Sequence, residues 1–132
     1  YHVGLLGHSD ADVLTHAIVD ALLGAAGLGD IGMRFPDNDP AYKGISSLIL
    51  LGDVMKEIKD LGFSLSNVDA TVMAERPKMS SYREMMINNL SEIMGIDRAR
   101  VNVKFTTTEK MGFVGRQEGM AASAAVLLNE LV

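Results

Sequence analysis

Two short stretches alternate their side chains with a period of two: Val68, Ala70 and Val72 against Asp69, Thr71 and Met73, and later Val101, Val103 and Phe105. That period puts successive side chains on opposite faces of a strand, so each stretch needs an apolar layer on one face only. Helical periodicity precedes both. Leu48, Leu51, Met55 and Ile58 share one face of a segment that Ser47 introduces and that ends near Gly62, with Lys56, Glu57, Lys59 and Asp60 as its wet side. A further helix is predicted from Ser81 to Met94 with Gly95 behind it. The expectation is an α+β fold, a small mixed β-sheet with helices packed on one face.

Upstream, Val13, Leu14, Ala17, Ile18, Ala21 and Leu22 recur at three and four, Ser9 or Asp10 can cap, and Gly27 can close the turn, which predicts a helix from Asp10. Residues 28–46 are rich in Gly, Pro, Asp and Asn and predict a long loop, and 106–119 a second loop. The closing MAASAAVLLNELV is strand or helix; periodicity does not decide between them. On the outer sheet face, Asp69, Thr71 and Met73 beside Asn102 and Lys104 suit either water or another subunit.

A chain of 132 residues is one domain's worth and can bury roughly two thirds of its unfolded surface. No cysteine is present, which leaves His, Asp and Glu as the ligands for any metal and excludes thiolate chemistry. The net charge of -5 and the lack of a Lys/Arg-rich run argue against a nucleic-acid partner. No apolar run approaches the roughly 20 residues of a membrane helix, and no leader pattern opens the chain. The expected location is cytoplasmic or a plastid-type stroma, without a membrane.

The densest chemistry is HSDADVLTH, residues 8–16. Asp12, His16 and Asp20 stand four apart and form one polar stripe on a helix. A metal-bound imidazole commonly donates its other N–H to a carboxylate, a part open to Asp12 or Asp20. His8 and Ser9, at the expected helix start, would face unpaired N–H groups that favour a phosphate. An ordinary N-cap with solvated acidic neighbours explains the same residues. Asp12 is a second ligand candidate; a third is missing.

Asp30 between glycines in GDIG suits the hydroxyls of a polyol, or a tight turn. FPDND, residues 35–39, reads as a lid or a solvated loop, and AERPKM, residues 74–79, as a strand exit with backbone groups open to a base edge. TTTEK, residues 106–110, matches a capping box and equally suits phosphate and Mg²⁺ through its oxygens. Arg116 could grip a phosphate with both arms, although a surface arginine is commoner.

Taken in order, HSDADVLTH, DALLGAAGLGDIG, FPDNDP, PKM and VNVKFTTTEKMGFVGRQEG closely resemble the 2-C-methyl-D-erythritol 2,4-cyclodiphosphate synthase family over essentially the whole chain. The resemblance implies one domain over 1–132, lacking the family's amino-terminal strand. It implies a homotrimer whose sheets face its axis, with active sites at subunit interfaces. The implied reaction converts 4-diphosphocytidyl-2-C-methyl-D-erythritol 2-phosphate to the 2,4-cyclodiphosphate with release of CMP, in non-mevalonate isoprenoid synthesis.

The resemblance places His16 on Zn²⁺ or a similar divalent metal and Glu109 on Mg²⁺ or Mn²⁺. It sets His8 and Ser9 against the phosphates, with His8 and Thr107 stabilising the transition state. Asp30, Ile31 and Gly32 would hold the methylerythritol. Phe35, Pro36, Asp37, Asn38 and Asp39 match a substrate loop. Ala74, Glu75, Arg76, Pro77, Lys78, Met79 and Ser80 match a cytidine pocket, and Thr106, Thr107, Thr108 and Glu109 a phosphate region. Phe113 and Arg116 match ligand-contacting positions near an axial cavity that takes isoprenoid diphosphates. The family's other two zinc ligands form an Asp-x-His pair, which this sequence does not contain. They are expected in residues before Tyr1. A non-catalytic trimer binding cytidine nucleotides or isoprenoid diphosphates, and a cyclase fused to a cytidylyltransferase, stay open at this level.

Overall fold

The computed structural model describes residues 3–35, 46–74, 80–107 and 120–131, with side chains described from residue 11 in the first segment and from residue 82 in the third. Helix α1 spans Val3–Ala25. Its buried stripe is Leu14, Ile18, Val19, Leu22 and Leu23, with Thr15 beside them. Val13, Ala17 and Ala21, read as core from their spacing, are half-buried at the rim of that stripe. The helix ends as Gly27 predicted: at φ 71° it lets Leu28 N–H reach the Leu23 carbonyl at 2.8 Å while its own N–H reaches Gly24 at 3.1 Å. Those two bonds satisfy carbonyls that the last turn would leave open.

The start of α1 is a correction. The expected cap at Ser9 or Asp10 lies inside the helix, which begins at Val3. Ser and Asp favour a cap without enforcing one, and VGLLGHS contains no proline to stop a helix continuing upstream.

The predicted loop 28–46 also holds structure at its front. Helix α2, Ile31–Arg34, is a single turn with Asp30 as its N-cap, accepting from the Met33 amide at 2.8 Å. Gly29 precedes it at φ 89°, a conformation that side-chain-bearing residues rarely adopt. Helix α3 runs Ser47–Asp60 behind the cap Ser46, whose hydroxyl accepts from the Leu48 amide. It buries Leu50, Leu51, Val54 and Ile58, and turns at Leu61 and Gly62 as expected.

Strand β1, Phe63–Met73, starts five residues before the alternating stretch. Helix α4, Ser80–Met94, buries Met86, Ile87, Leu90 and Met94 and closes at Gly95. A 3₁₀ turn at Arg98–Arg100, capped by Asp97, leads into β2, Val101–Thr106. The ambiguous tail is a strand: β3, Ala121–Glu130.

The sheet order is β2-β1-β3, parallel between β1 and β2 and antiparallel between β1 and β3, so it is mixed as expected. A parallel pair needs a long crossover, and α4 lies within that connection. Val68 stands opposite Val101 and Ala70 opposite Val103, while Ala70 and Val72 face Ala124 and Ala122 on the other side. The register slips once, between Leu65 and Asn67. One sheet face thus joins a single core with α1, α3 and α4: α1 packs on β1 and β3, and α4 on β2. The opposite face carries Asp69, Asn102, Lys104, Ser123, Ala125 and Leu127, half-exposed or exposed.

Candidate functional site

The polar stripe on α1 forms, but its two carboxylates divide the work. Asp12 Oδ2 lies 4.0 Å from His16 Nδ1, both side chains about half exposed. That is beyond hydrogen-bond length but puts a carboxylate on the Nδ1 side, leaving the other ring nitrogen for a ligand. Asp20 does not serve the imidazole. Its Oδ1 accepts the Ile31 amide at 3.1 Å, across eleven residues of chain. Thr15 stays in the interior by bonding back to the Ala11 carbonyl at 2.6 Å, which satisfies its buried hydroxyl.

That clamp joins the stripe to the GDIG turn. In α2, Ile31 donates to Asp20 and Met33 donates to Asp30, so two amides that a helix start leaves unpaired are satisfied by two different aspartates. Arg34 closes the turn's far side in an ion pair with Glu57 on α3. Phe35 then packs against the core. The Asp30–Gly32 turn is therefore held to α1 and α3 together.

A second group of predicted residues sits where β1 and β2 end. Ala74 is buried and its amide donates to the Thr106 carbonyl at 3.0 Å, which draws the two strand exits side by side. Thr106 and Thr107 are exposed there, and the Thr106 hydroxyl points to the Thr107 carbonyl at 3.4 Å. Ser80 opens α4 on the far side of the connection. Pro36, Asp37, Asn38, Asp39, Glu75, Arg76, Pro77, Lys78, Met79, Thr108, Glu109, Phe113 and Arg116 lie outside the described residues.

His8 and Ser9 are the sixth and seventh residues of α1, so their amides are past the four that a helix start leaves free. The helix start expected at these residues therefore lies five residues upstream of His8, at Val3.

A half-exposed imidazole with a carboxylate beside it fits a divalent ion as one donor. Among the described residues, no cluster of three His, Asp or Glu side chains completes a metal cage. A tetrahedral site would need ligands beyond His16 and Asp12.

A model of the YgbB family matches residues 1–129. The chain belongs to the YgbB family. Its family relatives include the 2-C-methyl-D-erythritol 2,4-cyclodiphosphate synthase of Syntrophotalea carbinolica, 58% identical over 128 residues, covering 97% of this chain and 78% of that protein. Among solved structures, the bifunctional IspDF of Campylobacter jejuni superposes with a TM-score of 0.86 at 47% identity, covering 94% of this chain and 34% of that one. A Plasmodium falciparum IspF in complex with CDP gives 0.79 at 35% identity, covering 91% and 72%. This YgbB-family chain thus shares the fold with a relative that binds a cytidine nucleotide. No helix among its described residues is long and apolar enough to cross a membrane.

Sequence reasoning missed the Asp20–Ile31 and Arg34–Glu57 links. The four-residue spacing singled out Asp20, but nothing in periodicity tells which partner eleven residues away an aspartate will find.

Proposed function

We propose that this chain is a cyclodiphosphate synthase, a phosphorus–oxygen lyase that converts 4-diphosphocytidyl-2-C-methyl-D-erythritol 2-phosphate to 2-C-methyl-D-erythritol 2,4-cyclodiphosphate and CMP. The observation that carries the reading is 58% identity across 97% of the chain with a synthase of that name. An oxygen of the 2-phosphate attacks the β-phosphorus, the bond from that phosphorus to the α–β bridging oxygen breaks, and the electron pair leaves with CMP. No covalent enzyme intermediate is needed. The difficulty is charge: one anion must approach another, so alignment and neutralisation make up the catalysis.

Each part of the chain has a place in that task. Asp30 accepts from the methylerythritol hydroxyls, with Ile31 and Gly32 lining the same turn, and Phe35 to Asp39 contact the substrate. The side chains of His8 and Ser9 contact the phosphates, and His8 with Thr107 steadies the charge that grows at the reacting phosphorus. Thr106 to Glu109 bind the diphosphate, while Ala74 to Ser80 receive the cytosine of a substrate bound mainly to a neighbouring subunit. His16 would hold Zn²⁺ and Glu109 Mg²⁺ or Mn²⁺, ions that neutralise phosphate charge and ease departure of CMP.

The assembly proposed is a homotrimer. Its support is the sheet face turned away from the described helices, where Leu127 is 55% exposed, because a partly apolar sheet face has room for a neighbouring sheet. Phe113 and Arg116 would line the axial cavity, with an isoprenoid diphosphate as its occupant. With no cysteine to oxidise and no membrane-length helix among the described residues, the proposed location is the cytoplasm or a plastid-type stroma.

The test is CMP release from the substrate by protein carrying both metals. His16→Ala and Glu109→Ala are each expected to lower turnover by at least about a hundredfold. Normal turnover in either variant contradicts the assigned roles. A chain that binds CDP, takes up no zinc and releases no CMP supports a non-catalytic nucleotide binder instead.

A further inference from the structure

Asp20 stands one turn beyond His16 on α1, about 6 Å along the axis, and on the same face. Two ordinary roles for such a residue are solvation and support of the imidazole. Asp20 is exposed and keeps its contact with water, but it does not support the imidazole. Its Oδ1 takes the Ile31 amide at 3.1 Å, and Ile31 opens the turn whose cap, Asp30, is proposed to grip the substrate's polyol.

We propose that Asp20 is a positioning residue for the polyol subsite: by accepting the Ile31 amide it locks the Asp30–Gly32 turn to the helix that carries His16. The inference rests on the cyclase reading above. Its physical content is registry. The polyol and the reacting phosphates belong to one molecule, so the turn that holds the first must keep a constant distance from the helix that serves the second. A single-turn helix cannot do this alone, because a helix this short is not stable by itself. Asp30 secures only the internal geometry of the turn, through Met33. Asp20 supplies the link from the front of the turn to α1, as Glu57 supplies one from Arg34 to α3.

The Ile31 amide is spoken for, so it is not a donor to substrate. Within that first turn, the groups left to meet a hydroxyl include the Asp30 carboxylate and the Gly32 amide. A methyl at Gly32 would stand 3.5 Å from Asp30 Oδ1, an ordinary van der Waals contact beside that carboxylate. Asp20 therefore acts on binding and alignment of the polyol and leaves the nucleotide end untouched.

The experiment compares wild type, Asp20→Ala and Asp20→Asn as metal-loaded protein. Asparagine keeps an acceptor oxygen without the charge, and alanine keeps neither. For Asp20→Ala the expected result is a roughly ten- to hundredfold fall in kcat/KM for the full substrate, the scale of a small misplacement of reacting groups. Affinity for CDP, which lacks the polyol, and zinc content should both be unchanged. Asp20→Asn should recover activity to within about threefold, and hydrogen exchange should show the Ile31 amide protected in wild type and Asp20→Asn but open in Asp20→Ala. The proposal is overturned by wild-type kcat/KM in Asp20→Ala, by an equal loss of CDP affinity or zinc, by an asparagine variant as impaired as alanine, or by an Ile31 amide that exchanges alike in all three. Wild-type protein that releases no CMP sinks the cyclase reading itself; an active wild type with an indifferent Asp20→Ala sinks only this inference.

Discussion

Asp69 shows what a single exposed side chain contributes and when. Lys104 donates to its Oδ2 at 2.9 Å and Asn102 to its Oδ1 at 3.0 Å, both from the neighbouring strand. The Lys104 bond, then the Asn102 bond, hold its carboxyl below the ordinary value of 3.8. A carboxylate lowered in the folded state stabilises the fold above its unfolded pKa, and that contribution fades as pH falls through the lower folded value. In urea unfolding, wild type should exceed Asp69→Asn slightly at neutral pH, and the gap should close as the pH is taken well below 3.8. The gap should also shrink with salt, because the group is open to solvent. A gap that widens in acid would contradict this. The pair was only half legible in the sequence. Alternation put Asp69 on one face and Lys104 on another strand's matching face, but contact required the parallel register that sets Asp69 opposite Asn102 and Thr71 opposite Lys104. Asp20 was the same case: visible as part of a stripe, with a partner that only the folded turn supplies.

Helices and strands were legible where pattern and punctuation agreed. Gly27, Gly62 and Gly95 each close a helix at positive φ, and the alternating residues 68–73 and 101–105 are strands. The start of α1 and the nature of β3 were not legible. A cap residue permits a start without imposing one, and a run of small and apolar residues suits strand and helix alike until it finds an edge. β3 finds the free edge of β1, with Ala124 opposite Ala70 and Val126 opposite Val68. Burial separates the consequences within these elements. Leu22 on α1 is fully buried in the core, so Leu22→Ala should cost about 2–5 kcal/mol in denaturant unfolding. Leu127 on β3 is 55% exposed on the face turned away from the described helices, and Leu127→Ala in the isolated chain should cost about 0.5 kcal/mol or less. Equal losses at the two positions would contradict the assignment of inner and outer faces.

For the whole molecule, the fold places one polar group on α1 and α2 and another at the joined exits of β1 and β2, while a single core supports both. The order of motifs made the family legible from the sequence, and the match over residues 1–129 agrees with it. The sequence sets a net charge of -5 against a substrate bearing several phosphates. Bulk charge predicts repulsion, which the proposed function answers with cations at the phosphates and His16 as one proposed donor. The most direct measurement is the rate of CMP release from 4-diphosphocytidyl-2-C-methyl-D-erythritol 2-phosphate before chelation, after exhaustive chelation, and after return of Zn²⁺ and Mg²⁺. The account predicts a collapse of the rate on chelation and its recovery when both ions are restored. An undiminished rate in the stripped protein would contradict it.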